Sequence, residues 1–384
     1  MPHSPKKQIS APTLDPDKLF DCEHLNKFAN LIIKAYRVSS YSHPSLFECN
    51  YKGVPFFVKL AFYAIPSSEL YTKSGPSPTK FQHTDAEIRI LTTLKKEIIE
   101  AGISPGILEI ITHRVCERPS KTFRIKKSEC MQLKIKGTSS QADLFTFAMC
   151  QLIESINHGL NYDKCAFVVM ERCDISLSEL LNNIIDLPIL GIELFKSILF
   201  QVISTYFALK YKYPKFCHYD LHLGNIMIKF DKDFRYTPLF QRFLVYDYKP
   251  CKVVFEVPFF GMITKIIDFG FGQIPELGIL NTFSDDLQLS YHRTEFDMVA
   301  LFHNISGQVL SDKTRGKNTY NIIGILNQLE PTQMYLHNAR DVIEANADKI
   351  PTIHQMMLNP VFAEYHNVKN IAPGQIYKTY RLDK

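Results

Sequence analysis

Cys217-His218-Tyr219-Asp220-Leu221-His222-Leu223-Gly224-Asn225-Ile226-Met227-Ile228-Lys229-Phe230 sets a short polar island directly against an apolar run. Residues 225 to 230 read as a buried strand, and the island holds His218, Asp220, His222 and Asn225, four side chains able to bind a proton, a metal or a phosphate. A second such place follows at Lys265-Ile266-Ile267-Asp268-Phe269-Gly270, where Asp268 closes another apolar strand over residues 262 to 267. Two acidic loops on neighbouring strands suggest one metal site.

The 384-residue chain is 46% hydrophobic, ample for a packed core in two lobes or one large domain. Its net charge of +5 is far from the density of a dedicated nucleic-acid binder, so nucleic acid is not the expected partner. The nine cysteines are odd in number and never spaced Cys-x-x-Cys; they signal neither a disulfide framework nor a zinc site, and reduced thiols inside a cell are expected. Lys6 and Lys7 have no apolar stretch behind them, so no secretory signal is read. The most membrane-like segment, residues 187 to 211, is interrupted by Glu193, Lys196 and Gln201, and a buried helix is expected there rather than a membrane span.

In chain order, residues 1 to 18 read as a flexible lead-in. Leu25, Phe28, Leu31, Ile32 and Tyr36 recur at helical spacing and predict a helix over 23 to 36. Two strands follow, turning at Tyr51-Lys52-Gly53, and the second, residues 54 to 62, is apolar except for Lys59. A lysine there is either on an edge strand, reaching water, or paired with a buried anion. The next helix, 84 to 100, offers Glu87 on its apolar face, although Thr84 and Glu87 also suit a capping box. Residues 104 to 112 read as a turn and a strand, and the lysines and arginines from 114 to 136 as a solvated basic insertion running to about 140. A helix over 141 to 157 leads to a strand at 166 to 170. Glu171-Arg172-Cys173-Asp174 breaks that strand, and Ser176 caps a short helix. The boundary between a sheet-rich first lobe, 19 to 170, and a helical second lobe, 171 to 384, falls here. Residues 231 to 260, rich in Phe and Tyr, read as an insertion between the two strands that carry the acidic loops.

Taken in order, Lys59, Glu87, His218-Tyr219-Asp220, Asn225 and Asp268-Phe269-Gly270 resemble the signature of the protein kinase superfamily, over roughly residues 36 to 305. The form His-x-Asp-Leu-His-x-Gly-Asn is most similar to haspin-like kinases, aminoglycoside phosphotransferase-like enzymes and the eukaryotic-like Ser/Thr kinases of large DNA viruses; the run before Asp268 looks most like the viral group. The resemblance implies an α+β, two-lobe protein kinase-like fold, with an antiparallel-sheet N-lobe carrying one main helix and a mostly helical C-lobe. It implies ATP and Mg2+ as cofactors, a protein Ser/Thr hydroxyl as acceptor, and a place in the host cytoplasm or the virion.

The resemblance also distributes roles. Lys59 would hold the α- and β-phosphates, oriented by Glu87; Met170 stands at the gatekeeper position, with Glu171 and Cys173 in the hinge that meets adenine. Asn225 and Asp268 would ligate magnesium, which prefers hard oxygen donors. Asp220 would take or orient the proton of the acceptor hydroxyl, with His218 as support. His222 stands where most protein kinases have a lysine facing the γ-phosphate; it would act as a cation there, serve as a neutral neighbour, or bind zinc together with His218.

Three departures stand against the resemblance. The lid over residues 37 to 45 has no glycine, leaving Ser40 and Ser42 as partial substitutes for phosphate contact. Phe57 occupies a position that kinases usually keep small. The stretch from Asp268 to Asp297 is short, and no Ala-Pro-Glu occurs; Asp297 matches the buried aspartate of the helix that follows. Three readings therefore stand: a constitutively active viral-type Ser/Thr kinase, a small-molecule phosphotransferase on the same core, and a pseudokinase that binds partners without turnover.

Overall fold

The computed structural model describes residues 22–23, 25–37, 45–65, 80–81, 83–123, 127–136, 141–184, 189–231, 242–281, 294–311, 318–336, 346–366 and 371–383. Its strands, in chain order, are β1 Ile32–Arg37, β2 Ser45–Tyr51, β3 Val54–Ala64, β4 Lys80–Phe81, β5 Ile110–Glu117, β6 Asn161–Glu171, β7 Ile175–Ser176, β8 Ile226–Phe230, β9 Arg242–Tyr248, β10 Val253–Phe259, β11 Met262–Ile266, β12 Leu280–Asn281 and β13 Ile376–Leu382. Helices are mixed with largely antiparallel sheet. The chain divides into two compact units: Met1–Ser77 with Ile110–Arg172, and Pro78–Glu109 with Cys173–Lys384. The segment Pro78–Glu109, drawn into the first lobe from sequence, groups with the second unit.

The first unit is built on an antiparallel sheet in the order β1-β2-β3-β6-β5. Lys52 and Gly53 both have positive φ, 52° and 84°, the backbone a tight hairpin between β2 and β3 requires, and the Gly53 amide donates to Asn50 Oδ1 at 2.9 Å. Period-two alternation sends Phe56, Val58 and Leu60 into a core with Phe28, Phe47, Phe145 and Phe167. Phe28 meets Phe145 and Phe167 edge-on at 5.2 and 5.4 Å. Lys59, on the other face, lies opposite Leu46 of β2 and Val168 of β6. Its strand is therefore central, and the edge-strand explanation for this lysine fails.

Sequence periodicity misleads at the start of this unit. The helix expected over 23 to 36 is a 3-10 turn, Leu25–Leu31, followed by β1. Phe28 still enters the core, but the β-branched pair Ile32-Ile33 joins the sheet beside β2, where pairing decides the conformation over local spacing. The strand expected to follow a turn within 104 to 112 instead runs Ile110–Glu117, so the basic stretch begins inside a strand paired with β6. Further along, the same stretch holds a helix, Lys127–Lys136.

The expectation of reduced thiols is also corrected. Cys22 and Cys116 form one disulfide and Cys130 and Cys150 another, at sequence separations of 94 and 20. Cys49, Cys165, Cys173, Cys217 and Cys251 are buried thiols outside these two bridges. Neither pair shares a short motif, because the folded sheet and the two helices Lys127–Lys136 and Gln141–Asn157 bring the partners together.

The second unit is organised on the helix Ile189–Lys212. By length and composition this helix could cross a membrane, yet 89% of its most apolar window is buried inside the protein. Gln201, which interrupts its apolar character, is tied to β11: Nε2 donates to the Met262 carbonyl at 3.2 Å and Oε1 accepts the Thr264 amide at 3.1 Å. β11 pairs with β8 and β8 with β7, which places the ends of both acidic loops side by side. The region read as an insertion contains the hairpin β9–β10, and β13 joins it in the order β10-β9-β13. The short helix Leu177–Ile184 starts with a reciprocal cap: Glu179 N–H donates to Ser176 Oγ at 3.2 Å, and Ser176 N–H to Glu179 Oε2 at 2.7 Å.

Candidate active site

Strand β8 starts one residue after Asn225, so the apolar run Ile226-Met227-Ile228 anchors the polar loop to the sheet, with Ile226 and Ile228 fully buried. The loop and the following acidic turn are stitched together: Ile267 N–H donates to the Asn225 carbonyl at 3.0 Å, and His218 Nε2–H donates to the Ile267 carbonyl at 2.8 Å. His218 Nδ1 accepts the Asp220 amide at 3.4 Å. Both ring nitrogens are thus spent inside the protein, and burial pulls the imidazole down to a pKa of about 4. A neutral, buried ring with both nitrogens engaged can neither carry a proton for a reaction nor ligate zinc. Among the described residues no group of three His, Cys, Asp or Glu side chains converges on a metal position.

Asp220 is half-buried beside Asn225, whose Nδ2 donates to the Asp220 carbonyl at 2.8 Å and to its carboxylate Oδ2 at 3.3 Å. Burial raises the Asp220 pKa above the usual carboxylate range; His222 and Asn225 oppose the rise, and Asp268 adds to it. Asp268 has left-handed backbone, φ 59° and ψ 64°, at the junction of β11 and the 3-10 turn Phe269–Phe271. With its nitrogen committed to Asp220, the Asn225 side chain has Oδ1 left for a ligand. That oxygen and the Asp268 carboxylate are hard donors of the kind Mg2+ takes, and the Asp268–Asp220 repulsion is one that a bound cation relieves. The residues present fit magnesium and not zinc.

His222 faces Asp220, with Nε2 3.8 Å from Oδ2. Its orientation is fixed by the backbone: Gly224 N–H donates to Nδ1 at 3.0 Å, so His222 caps the 3-10 turn Leu223–Asn225. Because Nδ1 accepts, the proton of the neutral ring sits on Nε2, on the Asp220 side. A Cβ at position 224 would lie 2.8 Å from the His222 Cε1, so only glycine leaves the ring in this place.

The loop's backbone is held from below by Asp297, on the helix Thr294–Leu310. Its Oδ2 accepts the His218 amide at 2.7 Å and its Oδ1 the Tyr219 amide at 2.9 Å. Burial pushes the Asp297 carboxyl up to about 7, against the pull of those two amides. Tyr219, between the two named positions, has φ 63°, a left-handed conformation that an aromatic residue adopts only when its surroundings impose it. Its hydroxyl bonds Gln273 Nε2 at 2.5 Å, while Cys217 and Gln273 exchange backbone hydrogen bonds at 3.3 and 3.0 Å. The segment after Asp268-Phe-Gly is thereby fastened to the loop. Gln273 carries no sequence signal; Asp297 was visible as one acid inside the apolar run Phe296-Asp297-Met298-Val299.

Glu87 lies on the helix His83–Leu94 and is 3% exposed, along with buried Ile90, Leu91 and Leu94. This helix packs on the Phe269–Phe271 turn, and Ile90 Cδ1 would lie 3.3 Å from a Cβ at Gly272. Lys59 and Met170 belong to the first unit, where Met170 lies directly across from Phe57. Glu171 is buried at the end of β6, and Cys173 is buried in the second unit. Ser40 and Ser42 lie outside the described residues.

By sequence the chain is similar to a kinase-like protein. In particular, it is 28% identical over 256 residues, 62% of this chain and 62% of the other, to "Putative serine/threonine-protein kinase R301" of Acanthamoeba polyphaga mimivirus. The chain thus spans less than two thirds of that curated relative. No family model matches. A solved structure of WaaP in complex with acyl carrier protein overlays 86% of this chain and 88% of its own at 12% identity with a TM-score of 0.36.

Proposed function

We propose that this chain is an ATP- and magnesium-dependent kinase that phosphorylates Ser or Thr hydroxyls of proteins. The observation that carries the reading is Asp220: an exposed-edged carboxylate, oriented by Asn225, held on a backbone clamped by Asp297, and set beside a second acid, Asp268. A base for a hydroxyl proton needs that orientation and partial access to solvent. Asn225 and Asp268 would hold Mg2+, which when bound supplies positive charge to the phosphoryl oxygens. Asp220 accepts the hydroxyl proton, and His222 directs its Nε2–H to the same side. The two-lobe kinase architecture and the roles that the resemblance gives Lys59, Glu87, Met170, Glu171 and Cys173 are part of the same proposal, as is a viral origin.

Labelled ATP, Mg2+ and a mixed protein substrate provide the test. Label should enter Ser and Thr with the wild type and fall by about 100-fold or more with Asp220→Asn, the scale of a lost general base. Equal background from both proteins refutes the reading.

A further inference from the structure

We infer that the cavity beside His222 is the subsite for the substrate residue flanking the phosphoacceptor hydroxyl, and that it selects an uncharged hydroxyl or amide side chain. The inference rests on the kinase reading above and adds the acceptor's local sequence to it. The cavity has a volume of about 500 Å³, room for a side chain and its hydration, and its described lining residues all belong to the second unit. His222 and Gly224 form one wall, and His303, Asn304, Gly307 and Gln308 of the helix Thr294–Leu310 form the other. His222 is shared: the ring that lines the cavity has Nε2 3.8 Å from Asp220 Oδ2. A chain that presents its hydroxyl to Asp220 therefore sets a neighbouring side chain over this cavity.

The chemistry of the walls decides what fits. Among the described residues no Asp, Glu, Lys or Arg lines the cavity. Gln308 has its amide occupied, with Nε2 donating to the Ser178 carbonyl and Asn182 Oδ1, both at 2.8 Å, and Oε1 accepting the Ser178 hydroxyl at 2.8 Å. Asn304 spends its nitrogen on the Ala300 carbonyl at 2.8 Å, so Oδ1 is the atom it offers a ligand. His303 donates from Nδ1 to the Tyr335 carbonyl at 2.6 Å, which leaves Nε2 of the neutral ring as an acceptor. Two acceptors, with no carboxylate, ammonium or guanidinium among the described lining residues, suit a donor such as Ser, Thr, Asn or Gln. A guanidinium or ammonium would lose water without meeting a carboxylate, and a carboxylate would meet acceptors. Gly307 leaves the floor open, since a Cβ there has nothing within 4 Å.

A peptide array with a fixed central Ser or Thr, each flanking position varied in turn, tests this with the full chain and Mg-ATP. At one flanking position Ser, Thr, Asn or Gln should outrun Arg, Lys, Asp and Glu by about tenfold. Gly307→Glu, a substitution that raises helix propensity, should move the preference at that same position to Arg and Lys, and Asn304→Asp should do so more weakly. Preference for a charged residue in the wild type, no preference at any position, or an unmoved profile in both variants overturns the subsite while leaving the kinase reading in place. Labelling of no peptide at all overturns both.

Discussion

His222 makes two contacts with opposite meanings, and paired substitutions separate them. Asn at this position keeps a side-chain acceptor at the place of Nδ1, suited to the Gly224 amide 3.0 Å away, but nothing that reaches Asp220. Gln keeps an N–H near the place of Nε2 and gives up the short cap. The cap closes a three-residue turn at the surface and should contribute about 1 kcal/mol. The other contact spans 3.8 Å between side chains 43% and 40% exposed, so water screens it to about 1 kcal/mol, or several-fold in rate. Steady-state phosphorylation together with thermal melting reads both. His222→Asn should keep its melting temperature and lose kcat by about fivefold. His222→Gln should keep kcat within a few-fold and unfold more easily by about 1 kcal/mol. An Asn variant that works as well as wild type beside an inactive Gln variant would refute the reasoning and reduce His222 to a cap.

Asp297 couples stability and loop order to pH in opposite senses. Its folded pKa, pushed up to about 7 by burial, exceeds the unfolded carboxylate value, so the folded state binds the extra proton between about pH 4 and 7 and stability falls as pH rises through that window. Denaturant melts across the window should show a loss on the order of 4 kcal/mol that Asp297→Asn abolishes. Over the same range catalysis should rise, because the ionised carboxylate accepts both the His218 and Tyr219 amides. Tyr219→Phe removes the hydroxyl that bonds Gln273 and should lower kcat several-fold with the fold intact by circular dichroism, since the two backbone bonds at Cys217 remain. Reductant should lower the melting temperature, with Cys22→Ser costing about 5 kcal/mol for the loop of separation 94 and Cys130→Ser about 3 kcal/mol for that of 20.

Strong local signals were legible without a structure. The polar loop and its strand, the second acidic turn, the helix Gln141–Asn157, the buried helix Ile189–Lys212 and the Ser176 cap all follow from periodicity, capping chemistry and residue type. Each of these is decided by residues close together in the chain. Where distant segments compete, local spacing loses: the apolar pattern before Arg37 suits a helix as well as a strand, and pairing of β1 with β2 settled it. The same holds for the disulfides, whose partners meet only in the folded chain.

For the candidate site, the sequence by itself determined which side chains could do chemistry, because a carboxylate, an amide and an imidazole in one short loop are defined by identity alone. It left Lys59 on either an edge or an interior strand, and His222 as a cation, a neutral neighbour or a zinc ligand together with His218. Tertiary structure placed Lys59 between β2 and β6, buried His218 with both nitrogens engaged, and fixed the His222 ring through the Gly224 amide. Residue type sets what a group can exchange; only burial and the partners supplied by other segments set which proton, lone pair or charge it has left to offer.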